Sequence, residues 1–259
     1  MYVLIGDIGN TITKVCLVDT KIFNIKKIFY FNSKQIKSKS FLASKIKKII
    51  KNKSMHKTAL FSSVVPKYQA KIKKILFTVS KIKMREIKEK SLKKAIKVNI
   101  KNKKQVGSDR IANAVGAFKR YKSNCIVLDF GTATTFDVIT KQGVYNGGII
   151  APGVNLSIQS LSSSADQIPF FSIKKQKKII GKNTIEALRS GFYWGYSGLI
   201  NNIILKIESE TKKKYKIIFT GGYAHLFKTS MIKPFIIDKN ITINGIIEIY
   251  KDNKSNLIK

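Results

Sequence analysis

Cysteine, histidine and arginine are all scarce in this 259-residue chain, which has two, two and four of them. Cys16 and Cys125 lie far apart, and neither belongs to a Cys-x-x-Cys or Cys/His cluster. Both adjoin apolar stretches, so they read as buried packing thiols of a reducing compartment. His56 and His225 are equally isolated, which argues against a zinc site or a Cys/His nucleophile pair. Acidic side chains are also few: 14 Asp and Glu stand against 50 Lys and Arg, a formal charge of +36. Such a balance suggests nucleic acid, but bidentate contacts to phosphate and guanine need arginine, and the chain has only Arg85, Arg110, Arg120 and Arg189. Lysine is instead spread along the chain beside Ile and Asn, as in Lys45-Ile46-Lys47-Lys48. That pattern reads as compositional bias and a solvated lysine surface with salt-sensitive polyanion adhesion, and no specific nucleic-acid partner is expected. No hydrophobic run is long enough to cross a bilayer. Met1-Tyr2-Val3-Leu4 leads straight into the first turn motif, which leaves no room for a cleavable signal peptide and predicts a cytoplasmic protein.

Against these absences stands one repeated pattern. Asp129-Phe130-Gly131-Thr132-Ala133-Thr134-Thr135 repeats, in degenerate form, Asp7-Ile8-Gly9-Asn10-Thr11-Ile12-Thr13. Each copy ends an apolar run with an acidic residue, follows it with glycine two positions on, and then supplies hydroxyls or an amide. The runs Tyr2-Val3-Leu4-Ile5 and Ile126-Val127-Leu128 read as buried strands, and residues 12–18 and 134–139 as strands returning from a hairpin. One such Asp-x-Gly is commonly no more than a turn. Two copies opening equivalent strands fit a nucleoside triphosphate clamped from two sides, glycine admitting backbone amides to the phosphates and Asp holding a hydrated metal ion. The residues thus indicate an ATP-handling enzyme.

The length suits one large domain or two half-sized lobes, and the duplication favours two, at 1–104 and 105–259. In the first, a third strand is expected near residues 25–31, a helical segment in 34–51, a strand at 58–61, and a turn at 62–66 into a helix over 67–76. The lysine-dense stretch 80–104 has little periodicity and reads as a crossover between lobes. Ser108 or Asp109 would cap a helix reaching Tyr121. Further expectations are a strand at 144–150, helices at 154–161 and 186–210, a strand and glycine turn at 217–222, a helix at 241–250 and a frayed tail at 251–259. Strands alternating with helices predict an α/β protein.

These motifs give the chain a close resemblance to the type III pantothenate kinases, of the superfamily of actin, sugar kinases and heat-shock ATPases. The resemblance rests on Asp7-Ile8-Gly9-Asn10-Thr11, Gly107-Ser108-Asp109-Arg110, Asp129-Phe130-Gly131-Thr132-Ala133-Thr134, Gly147-Gly148 with Pro152-Gly153, Gly181-Lys182-Asn183-Thr184 and Thr220-Gly221-Gly222, in family order over nearly the whole chain. It implies two similar lobes of the actin-like, ribonuclease H-like fold with the active site in the cleft between them. It implies transfer of the γ-phosphoryl group of ATP to pantothenate, the first step toward coenzyme A. Asp7, Ile8, Gly9, Asn10, Thr11, Ile12, Thr13 and Lys14 would form the first phosphate loop, with Asp7 near Mg²⁺. Thr132 would contact ATP, and Asp129 would help bind a monovalent cation, potassium or ammonium. Gly107, Ser108, Asp109 and Arg110 would line the acceptor site, Asp109 as general base and Arg110 on the pantothenate carboxylate; Thr184 would be a further pantothenate contact.

Plainer roles stand beside these: a helix cap for Asp109, a solvated charge for Arg110, the N-cap of the long helix for Thr184, and a simple turn for Gly221-Gly222, with Gly147-Gly148 and Pro152-Gly153 shaping turns. The family often has a Tyr seven residues before the Gly of Gly-x-Asp-Arg and a Pro shortly after it; here Ile100 and Lys103 stand there, with Asn102 in place. Family members are homodimers, and the aromatic helix with Phe192, Tyr193, Trp194 and Tyr196 is a candidate contact, although such spacing is more often core. The alternatives are a regulatory protein on the same scaffold, or a superfamily kinase for another small acceptor.

Overall fold

Two short, almost wholly buried strands organise the chain: β1 (Tyr2–Ile8) and β7 (Cys125–Phe130), each the middle of its own sheet. Their apolar residues are buried on both faces, which is the pattern of a central strand covered on two sides. The computed structural model describes residues 1–257. By packing, these form one unit from Met1–Arg120, Gly143–Tyr145 and residues 240–257, and a second from Tyr121–Gln142 and Asn146–Lys239. These units differ from a division at 104/105 in placing helix 108–121 and the C-terminal helices with the N-terminal strands.

In the first unit β1 pairs antiparallel with β2 (Ile12–Asp19), which pairs antiparallel with β3 (Asn24–Asn32). On its other side β1 runs parallel to β4 (Thr58–Ser63), and β4 parallel to β5 (Lys83–Glu86). The order is thus β3-β2-β1-β4-β5. Helices α1 (Lys39–Ile50) and α2 (Pro66–Ser80) cover one face, where Leu42, Ile46, Ile49, Ile72 and Leu76 join Leu4, Ile8, Val15 and Leu17 in one core. The stretch expected as a crossover supplies β5. Its four residues alternate lysine, buried Met84, arginine and glutamate, too short for the period to show against so much lysine.

Helix α3 (Ser108–Tyr121) is fixed by α6 (Ile241–Asp252) through two close glycine approaches. A Cβ on Gly245 would overlap the carbonyl of Ala112, and one on Gly116 that of Ile241. Buried Thr242 donates its hydroxyl to Asn113 Oδ1 at 2.7 Å across the same crossing. The tail does not fray at 251: α7 (Lys254–Leu257) follows, and buried Asn253 is hydrogen-bonded to Lys93 N at 2.6 Å. Residues 258 and 259 lie outside the described residues.

The second unit repeats the plan. β7 pairs antiparallel with β8 (Ala133–Ile139), β9 (Val144–Pro152) lies beyond β8, and β10 (Lys216–Gly221) and β11 (Phe235–Ile237) follow in parallel on the other side. Read from β9, the order β9-β8-β7-β10-β11 is that of the first sheet; the first two residues of β9, Val144 and Tyr145, belong to the first unit and pair there with β6 (Lys97–Val98). Helices α4 (Val154–Ser164) and α5 (Thr184–Thr211) contribute Ile158, Tyr193, Ile200 and Ile204 to its core. The aromatic run of α5 is used inside the unit: Tyr193 and Tyr196 stack near Phe227, and Phe192 meets Phe171 edge-on. No helix among the described residues is long and apolar enough to cross a membrane.

Candidate active site

Asp7 stands half-buried one residue from the end of β1, opposite Lys14 on β2 and Ser62 on β4. The Ser62 hydroxyl, fully buried, donates to Asp7 Oδ1. The turn that follows is held from below. Gly9 N donates to Ile12 O at 3.1 Å, Ser33 Oγ donates to Gly9 O at 2.7 Å, and Ser33 Oγ lies 2.8 Å from the buried Thr13 hydroxyl. Asn10, Thr11 and Ile12 are exposed at the tip, and Thr11 O accepts from Ser33 N at 2.9 Å. Gly6 serves packing, since any side chain there would overlap the Phe61 ring.

The Gly107–Arg110 turn belongs to the same unit and lies beside the end of β1. Val64 N donates to Ile8 O at 3.2 Å, and Val64 Cγ1 would stand 3.6 Å from a Cβ on Gly107. That residue thus joins the Asp7–Ile12 turn to the start of α3. Ile111 N donates to Gly107 O at 3.1 Å, so Ser108 and Asp109 lie within the first helical turn and neither is the cap expected from sequence. A carboxylate there is favoured in its ionised form by the helix N-terminus. Asp109 Oδ1 accepts from Arg110 N at 2.8 Å and occupies the space a side chain on Gly107 would need. The Arg110 guanidinium lies 5.8 Å from the ring centroid of buried Tyr145, a cation–π distance. Behind the turn, Glu86 at the end of β5 has its carboxyl pushed above the ordinary range by burial, which the nearby Ser108 hydroxyl and the Lys88 amide only partly offset. Asn102 caps a single 3₁₀ turn by accepting from Lys104 N at 3.2 Å, with half-buried Ile100 and exposed Lys103 on either side.

In the second unit Asp129 is the counterpart of Asp7, facing Thr135 on β8 and Thr220 on β10. This hairpin is tighter by one residue between matching strand positions, and Gly131 N donates to Ala133 O at 3.1 Å. Thr132 is exposed at its tip. Gly153 explains the Pro152-Gly153 motif: a Cβ there would overlap the Thr132 carbonyl, so the turn before α4 presses on the turn after Asp129. Gly221, at φ +86°, lies where a Cβ would be 2.6 Å from Phe130 N and 2.7 Å from Asp129 Oδ1. The hydroxyls of Thr134 and Thr220 are buried without a hydrogen-bond partner among the described residues. Asn183, not Thr184, caps α5, its side chain accepting from Glu186 N at 2.9 Å. Thr184 is the exposed first residue of that helix.

The sequence-predicted residues are therefore gathered as two sets, Asp7 to Lys14 with Gly107 to Arg110 in the first unit, and Asp129 with Thr132 in the second; Thr184 begins a separate element. Ser33, Ser62, Val64 and Tyr145 were not anticipated as site residues, and Thr220 only as part of the Thr220-Gly221-Gly222 motif. Ser62 had a signal, because Ser62-Ser63 follows Ala59-Leu60-Phe61 just as Asp7 follows its own apolar run.

Two sheets with one strand order, each carrying an acidic turn after its central strand, define the fold of the actin-like ATPases and sugar kinases. The ethanolamine utilization protein EutJ of Carboxydothermus hydrogenoformans shares it at a TM-score of 0.56 and 16% identity, over 95% of this chain and 89% of that one. The inorganic polyphosphate/ATP-glucomannokinase of Arthrobacter sp. strain KM does so at 0.50 and 12%, over 96% and 98%. Within that class, the model of the type III pantothenate kinase family matches residues 3–206. The type III pantothenate kinase of Pelagibacter ubique is 49% identical over 245 residues, 95% of this chain and 97% of its own. The chain belongs to the type III pantothenate kinase family.

Proposed function

We infer that the enzyme phosphorylates pantothenate with ATP, in coenzyme A biosynthesis, and that the two residue sets above carry the reaction. What supports the activity is family membership over nearly the full chain. What supports the roles is the join at Val64, which sets the first phosphate turn beside the Asp109 turn within one packed unit.

In this reading the Gly9 to Ile12 turn holds phosphate, with Lys14 and Asp7 on the adjoining strands, and Thr132 in its own unit contacts ATP. Asp109, held ionised at the start of α3, accepts the proton of the acceptor hydroxyl as the oxygen attacks the γ-phosphorus in line. Arg110 grips the pantothenate carboxylate with two hydrogen bonds, its plane steadied by Tyr145. Gly107 and Ser108 shape the acceptor side of that turn, and Thr184 adds a further contact to the acceptor.

Asp7 is suited to Mg²⁺, which commonly takes one or two carboxylates together with substrate phosphates and would neutralise charge on the transferred group. Asp129 is suited to a potassium or ammonium ion. The partnerless Thr220 hydroxyl is its cross-strand neighbour, so a carboxylate and a spare oxygen donor share one face of the sheet. We further propose a cytoplasmic homodimer, supported by the resemblance to the family, with the lysine surface having no specific nucleic-acid role.

The test is ATP-dependent phosphorylation of pantothenate by the purified protein, with and without potassium or ammonium. Product formation that needs one of these ions supports the reading. No product under any condition, or full activity without a monovalent cation, contradicts the activity or the Asp129 role respectively.

A further inference from the structure

Lys88 reaches across from the turn after β5 and donates from Nζ to two main-chain carbonyls, Lys104 O at 3.0 Å and Val106 O at 2.7 Å. Both belong to the short segment that leads directly into Gly107-Ser108-Asp109-Arg110. That segment has little else to fix it. Its only regular feature is the 3₁₀ turn Lys103–Gln105, and of residues 101–106 only Val106 is buried. The lysine, in contrast, is well anchored. Its own N donates to Glu86 Oε2 at 2.7 Å, Glu86 N donates to Glu89 Oε1 at 3.0 Å, and Glu89 is paired with Arg85 Nε at 2.7 Å.

We propose that Lys88 is a positioning residue for the acceptor turn, an ammonium clamp that fixes the backbone on which the Asp109 carboxylate rests. The proposal rests on the reading of Asp109 and Arg110 given above. The mechanical link is steric: Asp109 Oδ1 lies in the space beside Gly107 that a side chain would fill, so a shift of the Val106–Gly107 peptide displaces the carboxylate. The Val106 carbonyl is that peptide's own and the Lys104 carbonyl lies two residues before it, so one ammonium ties both to the turn after β5 through charge-assisted bonds, the stronger kind.

The experiment compares wild type, Lys88→Met and Lys88→Arg by steady-state kinetics and by amide hydrogen exchange. Met keeps the aliphatic stem and removes both bonds; Arg retains donors for two carbonyls. In Lys88→Met, exchange in residues 103–110 is expected to quicken about tenfold with the rest of the chain unchanged, and the KM for pantothenate to rise about tenfold with that for ATP unmoved. Lys88→Arg should restore most of both. Unchanged exchange in 103–110, or equal effects on the two substrates with protection lost throughout, overturns the clamp. If the wild-type protein fails to phosphorylate pantothenate, the functional reading falls, and the clamp is then decided by the exchange data alone.

Discussion

Ser62 donates its hydroxyl to the carboxylate of Asp7 across the parallel pair of β1 and β4. The serine is fully buried, and the aspartate stands half-buried beside the turn that would hold phosphate. The bond holds the Asp7 carboxylate in one orientation beside that turn. Ser62→Ala is expected to lower turnover about tenfold, the size of one charge-assisted hydrogen bond, and to raise the Mg²⁺ concentration needed for half-maximal rate several-fold. A Mg²⁺ titration of the variant checks this; an unchanged titration would contradict the Mg²⁺ role proposed for Asp7.

Glu86 gives a prediction about pH and stability. Burial, the largest cause, raises its carboxyl above the ordinary range, so the folded protein favours the protonated form more than the unfolded chain does. The stability this contributes is full below the unfolded value, about 4.3, and is lost as pH rises through the folded value. Above that point the ionised group burdens the fold. Glu86→Gln should therefore raise the melting temperature at pH 7 to 8, and the gain should vanish near pH 4. Thermal melts across this range decide it, and a gain independent of pH would show that the charge is not the cause.

Arg110 and Tyr145 should act as one device on the acceptor. Arg110→Lys loses the planar two-pronged grip, and Tyr145→Leu loses the ring 5.8 Å beneath it. Each is expected to raise the KM for pantothenate by about tenfold or more while leaving that for ATP within twofold. Separate substrate titrations test the pair; equal rises for both substrates would assign Arg110 a structural role.

Much of the fold was readable because its strongest signals are local. The buried runs of β1 and β7 and the Asp-x-Gly turns after them mark the two sheet centres, and the long apolar spacing of α5 shows within two residues at its start. What escaped depends on contacts distant in sequence. β5 is four residues whose only buried side chain is Met84, so a lysine-rich sequence hides it. The crossing of α3 and α6 requires Gly116 and Gly245 to meet, which neither segment announces alone. The same holds for the site. Asp7, Asp109 and Asp129 stand out by motif, whereas Ser33 matters through bonds to Gly9 and Thr13 and Ser62 through one to Asp7, all twenty or more residues away. The Thr184 cap was misplaced by one position because Asn and Thr both cap well, and only Asn183 has the extended backbone that aims its side chain at Glu186 N.

The account turns on Asp109, at the start of α3, as the group that receives the acceptor's proton. The direct measurement is pantothenate-dependent ADP release by Asp109→Asn beside wild type, with ATP affinity determined on both proteins. The amide keeps the shape and removes the base. Turnover should fall about 10²- to 10⁴-fold with ATP affinity within twofold. Turnover retained at the wild-type rate in a folded Asp109→Asn protein would contradict the assignment.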